Sequence, residues 1–163
     1  MENLNNFILE KLKITKDTKI NSYKYHPKSY SELRNLLLDL INERGKNANL
    51  NDIDVSDIKL MTGLFGGKEF IKLQIENINI SEWDVSNVIE MNSMFRGQIK
   101  FNCDLSKWDV SKVKDMSFMF FDCMKFTGKG LENWKIDNLL STTDMFYNTY
   151  SLKNRHNLLK KFI

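Results

Sequence analysis

Trp83-Asp84-Val85-Ser86-Asn87-Val88-Ile89-Glu90-Met91-Asn92-Ser93-Met94-Phe95 returns further along the chain as Trp108-Asp109-Val110-Ser111-Lys112-Val113-Lys114-Asp115-Met116-Ser117-Phe118-Met119-Phe120. Looser copies start at Ile53 and at Trp134. Counting from that first position brings the apolar residues into register. Three before it stand Leu50, Ile80, Leu105 and Leu131. Two after it stand Val55, Val85, Val110 and Ile136, and five after it Ile58, Val88, Val113 and Leu139. Eight after it are Met61, Met91 and Met116, with Thr142 the exception. Eleven after it come Leu64, Met94, Met119 and Met145; twelve after it every copy has Phe, at Phe65, Phe95, Phe120 and Phe146. Self-similarity this regular marks a repeat architecture.

The copies begin at 53, 83, 108 and 134, so the intervals are 30, 25 and 26 residues. Such periods belong to leucine-rich repeats, in which each unit supplies a short strand and a helical or irregular return. Leu105, Trp108 and Val110 follow the L-x-x-L-x-L shape, with Trp108 and Val110 alternating as on a strand. Val113, Met116, Met119 and Phe120 then fall at helical spacing. The expected fold is an α/β repeat: a short leucine-rich-repeat-like solenoid of four strand–helix units, with a helical N-terminal cap and a short C-terminal cap. No single unit closes its own core, so stacking must supply the walls. The extra residues of the first interval fall between Gly66 and Asn79 and are expected to form a loop or lengthened turn.

The signature W-D-V-S-x-V-x-x-M-x-x-M-F, present at 83–95 and 108–120 and more loosely at 53–65 and 134–146, resembles the BspA-like leucine-rich surface repeat, also met in mycoplasma lipoprotein-type repeats of unknown function. The resemblance covers roughly residues 50–152. Members of that family are typically on bacterial surfaces and are taken to bind other proteins or host matrix. With no visible signal or anchor, this chain is more similar to the small anchor-free versions found in bacteriophages and mobile elements. For those, the resemblance implies an interaction role and no reaction.

The flanks read as caps. Residues 1–49 form the expected helical N-terminal cap, 50–152 the repeats, with units starting near 50, 80, 105 and 131, and 153–163 a basic C-terminal cap. Leu4, Phe7, Ile8 and Leu12 have helical spacing. Ser29 and Glu32 make a capping box ahead of Leu33, Leu36, Leu37, Leu40 and Ile41, and Gly45 is the expected stop. Leu158, Leu159, Phe162 and Ile163 suggest a closing helix.

Charge is unevenly spread. Residues 1–49 net +3, residues 50–152 net −4, and the tail carries Lys153, Arg155, Lys160 and Lys161 with no acid. An acidic middle lacks the dense basic stripe of a nucleic-acid binder. No secretory signal is visible, and no run approaches the roughly 20 apolar residues that span a bilayer. Two isolated cysteines, Cys103 and Cys123, fit buried thiols in a reducing cytoplasm. The expectation is a cytoplasmic protein in a bacterial host cell, with no membrane partner.

Residues that invite a chemical reading have a plainer one. His26 and His156 lack metal-ligand or nucleophile spacing, so neither a catalytic residue nor a metal or cofactor is expected. Gly63, Gly66, Gly67 and Lys68 approach a phosphate loop, but Glu69 follows where Ser or Thr is required. Met91, Met94, Met116 and Met119 keep repeat phase and read as core.

Inward Leu105, Trp108 and Val110 would turn Lys107, Asp109 and Ser111 outward. Stacked copies then give three columns: Asp52, Glu82, Lys107, Asn133; Asp54, Asp84, Asp109, Lys135; and Ser56, Ser86, Ser111, Asp137. Two readings stay open. In the first, each Asp and Ser bonds backbone in the following turn, as short polar side chains do. Alternatively Asp54, Asp84, Asp109 and Lys135, with Glu82, Lys107, Ser86 and Ser111, form a partner-binding face; the loop at 66–79 is a rival surface. The expected function is a non-catalytic protein–protein interaction module with an unidentified protein partner: a phage or mobile-element product acting on a bacterial host complex, for instance a defence inhibitor. The alternative is a structural or virion-associated component docked through the 3–13 helix.

Overall fold

The computed structural model describes residues 23–162; the helix expected at 3–13 and residue 163 lie outside them. The repeats stack in sequence order, but not as strand–helix units. Among the described residues no strand forms, and the copies are joined by isolated parallel bridges: Asn49 to Asn79, and Leu60 to Glu90 to Asp115 to Ser141. The segment 113–120 is not helical either; it runs extended through the Asp115 bridge and then turns at 117–120. The expected α/β solenoid of four strand–helix units is therefore overturned.

Backbone hydrogen bonds give the physical reason. Within each copy N–H groups bond back three residues: Trp108 to Leu105, Val113 to Val110, Met119 to Met116, Phe121 to Phe118 and Cys123 to Phe120. Successive three-residue turns put apolar side chains inward at spacings of two and three, which imitates a helix face without the i to i−4 bonds a helix needs. Trp108 N–H, spent on Leu105, cannot join a strand ladder.

The remaining N–H groups reach the next copy. Met61, Met91 and Met116 donate to the carbonyls of Glu90, Asp115 and Ser141; Gly63, Ser93 and Phe118 to Asn92, Ser117 and Thr143; Phe65, Phe95 and Phe120 to Met94, Met119 and Met145. All nine bonds measure 2.8–3.0 Å. To aim these groups the chain turns left-handed at Gly63, Ser93, Phe118 and Asp144, with φ of 60°, 57°, 58° and 49°. A right-handed helix cannot run through that position.

Side chains fill the stack. The rings of Phe65, Phe95, Phe120 and Phe146 lie nearly parallel, with centroids 5.4, 5.6 and 6.0 Å apart. Phe101 and Phe126 slot beside them, each 4.1 Å from Phe95 and Phe120 respectively. The indoles of Trp83, Trp108 and Trp134 donate back to the carbonyls of Leu50, Ile80 and Leu105 in the preceding copy, at 2.9–3.1 Å.

Helix α1, Tyr30–Arg44, lies against the first copy with Leu33, Leu37, Leu40 and Ile41 buried. Ser29 caps it by accepting from Glu32 N–H; the Glu32 carboxylate accepts from Lys28 N–H rather than from Ser29. The first copy has carbonyls at Thr62 and Leu64 with no earlier copy to bond. Tyr30 Oη and Arg34 of α1 donate to them at 3.0 and 2.9 Å. The loop expected between Gly66 and Asn79 contains helix α2, Lys68–Leu73, because Phe70 is buried against Phe65 and Arg34 covers it 5.0 Å from the ring. Helix α3, Arg155–Phe162, sets Phe162 edge-on against Trp134 and Phe146. No helix among the described residues is long and apolar enough to cross a membrane.

Candidate functional site

The polar columns are tied into the turns. Asp84 and Asp109 each accept the N–H of the serine two residues on, Ser86 at 3.1 Å and Ser111 at 3.0 Å. Asp54 accepts from both the N–H and the hydroxyl of Ser56. These are Asx turns, and a second set precedes Trp83 and Trp108, where Asn79 and Asp104 accept from Ser81 and Ser106. Ser56 and Ser111 bonds hold the carboxyls of Asp54 and Asp109 below the usual range, against the opposing pull of burial. The column expected to face outward is not uniform. Asp109 and Lys135 are exposed, Asp84 is half-buried, and Asp54 is buried beneath the segment around Tyr25. Lys107 pairs with Glu82 across adjacent copies.

Asp54 also meets His26, whose Nδ1 lies 3.4 Å from the carboxylate. This gathers an acid, an imidazole and the Ser56 hydroxyl, but in the wrong order for nucleophilic catalysis. The hydroxyl donates to the carboxylate, whereas activation needs it to donate to the imidazole. Among the described residues no group of three or more His, Cys, Asp or Glu could hold a metal ion.

Cys103 and Cys123 are buried and unpaired, and burial raises both thiols above their ordinary range. Cys123 donates to the carbonyl of Phe95 at 3.0 Å. Gln98 and Thr149 hold the equivalent position and donate to Phe65 and Phe120 at 2.7 and 2.9 Å. Three side chains of different chemistry thus make one bond. Counting by residue type could not find this column; asking for a donor three residues after each Phe would have.

Sequence reasoning also missed a flank. Thirteen after each tryptophan stand Arg96, Phe121 and Tyr147; sixteen after stand Ile99, Met124 and Tyr150. Phe121 and Tyr147 stack with centroids 4.8 Å apart, and the Arg96 guanidinium lies 5.0 Å from the Phe121 ring. Ile71 of α2 joins Arg96, Ile99 and Met124 in lining a shallow groove of about 540 Å³. Tyr150 is 72% exposed, Tyr147 53%, Ile99 41% and Ile71 39%. Neighbouring copies thus line up apolar and aromatic side chains in water, with an arginine stacked among them. Such patches mark contact surfaces, where aromatics and Arg are enriched.

A family model described as "Mycoplasma protein of unknown function, DUF285" matches residues 35–159. No curated protein and no solved structure matches the chain.

Proposed function

Starting from the fact that this chain belongs to the DUF285 family of mycoplasma proteins of unknown function, we propose that it is a non-catalytic protein–protein interaction module whose contact surface is the Arg96–Phe121–Tyr147 flank. One observation carries the reading. Asp54, Asp84 and Asp109 of the polar columns are bonded into turns, while Phe121, Tyr147, Ile99 and Tyr150 sit on one flank with no turn to make. Exposed aromatics beside an arginine, once covered by a partner, are the usual energetic centre of a protein interface. The narrower form of the proposal, a phage or mobile-element product acting on a bacterial host complex, rests on the likeness of the 83–95 and 108–120 signatures to anchor-free BspA-like repeats.

The test is capture of partners from a bacterial lysate with tagged protein, beside two double variants. Phe121→Ala/Tyr150→Ala should abolish capture of the main partner, and Asp84→Asn/Asp109→Asn should leave it. The reverse result moves the contact to the polar columns. Capture unaffected by either double variant sinks both surfaces.

A further inference from the structure

We propose that the open edge of the last repeat receives an extended, acidic peptide segment of a partner protein, held by backbone hydrogen bonds. This rests on the reading of the chain as an interaction module and concerns a surface that adjoins the flank at Tyr147.

In the first three copies, N–H groups at equivalent positions donate to alternate carbonyls of the copy that follows. In the last copy the same positions are Thr142, Asp144 and Phe146. Their N–H groups have no acceptor among the described residues, whereas Met116, Phe118 and Phe120 bond Ser141, Thr143 and Met145. Phe162 of α3 closes the aromatic column, and its carbonyl accepts the Thr142 hydroxyl at 2.6 Å, leaving the backbone donors beside it. A groove of about 550 Å³ runs along these donors, walled by Leu140, Tyr147, Leu159 and Phe162. Leu140 is 82% exposed.

The preceding copies define what fits such an edge: a chain running parallel, offering carbonyls at every second residue. That is strand addition without a formal strand. A second copy of this protein is a poor occupant. The carbonyls it would offer, at Thr62 and Leu64, already accept from Tyr30 and Arg34. Charge selects among peptides. Arg155 lines the groove, and α3, which walls it with Leu159 and Phe162, also carries Lys160 and Lys161 and no acid, with the Lys161 ammonium turned to the carbonyls of Leu131 and Glu132. Asp144 is the carboxylate in the lining. The balance favours an acidic segment over a basic one.

The experiment is residue-resolved amide hydrogen exchange on the full chain. The probe is a library of synthetic nine-residue peptides alternating Glu or Asp with Val, Ile or Leu, beside a library with Lys in place of the acids. The acidic library should slow exchange at Thr142, Asp144 and Phe146 by about tenfold or more. Leu140→Glu should weaken that protection, and Tyr150→Ala, on the flank but outside the groove lining, should not alter it. Failure of the flank reading, seen in lysate capture, is therefore separable from failure here. No slowing with the acidic library, or equal slowing with the basic one, overturns the proposal. So does protection without peptide. If that protection grows with protein concentration a second copy fills the edge, and if it does not, the chain's own residues do.

Discussion

The indole Nε1 of Trp108 donates to the carbonyl of Ile80 in the preceding repeat at 3.0 Å, and both are buried. One side chain thus fills its own layer and satisfies the backbone of the layer before. The relationship explains the variation at the first repeat: Ile53 stands where the others have Trp, and no earlier repeat offers it a carbonyl.

Trp108→Phe should separate these two roles. It keeps a large ring but removes one of the two hydrogen bonds to the Ile80 carbonyl, which still accepts the Trp83 N–H at 3.2 Å, at a cost of about 0.5–1.5 kcal/mol. Trp108→Ala should cost about 3–5 kcal/mol. Urea denaturation measures both, and equal costs for the two variants would show that the hydrogen bond contributes nothing.

Cys123 is held as a neutral donor. Cys123→Ser should change stability by less than Cys123→Val, which leaves the Phe95 carbonyl with the Gln98 N–H alone, at about 0.5–1.5 kcal/mol. Thiol titration of the native protein should find neither cysteine reactive, and both after unfolding. Prompt labelling of Cys123 in the native state would contradict its burial.

Ser93→Gly should stabilise the protein by about 0.5–1 kcal/mol. Ser93 adopts a φ of 57° in a position where the first repeat already has Gly63, and its hydroxyl makes no hydrogen bond among the described residues. Glycine meets that backbone without strain, although it raises the entropy of the unfolded chain. A fall in the thermal midpoint would show that the left-handed turn is not strained.

Asp104 carries an acid-sensitive contribution. Lys129 and the Ser106 bonds hold its carboxyl down to about 2, from an ordinary 3.8. A depressed folded pKa contributes stability above the unfolded value and loses it as pH falls through the folded one. The advantage of the native chain over Asp104→Asn should therefore be constant above about pH 5, shrink below 3.8 and vanish near 2. Denaturation curves of both proteins across that range check it. A difference that persists at the acid end would assign the effect to packing.

How much of this was legible in the chain differs from feature to feature. The Trp and Phe columns were, because burial selects residue type and the stack repeats that selection at a fixed interval. The Ser29 cap of α1 was, because capping is local. The helix α2 was not, because its six residues depend on Phe70 finding the Phe65 ring and Arg34 covering it. The strand–helix reading failed at Val113–Phe120 because three-residue turns and a helix leave the same trace in apolar spacing.

The sequence by itself determined the repeat, its register and the residues of its core, since each follows from hydrophobicity counted along one chain. Tertiary structure alone decided where the N–H groups of Met91, Ser93 and Phe95 go. Their acceptors lie one repeat away, at Asp115, Ser117 and Met119, and only stacking brings them within 3 Å. The same stacking spent the aspartates on turns, gave Gln98, Cys123 and Thr149 a shared task, and lined up Arg96, Phe121 and Tyr147 on the surface. Those roles depend on position in space, which residue type alone does not encode.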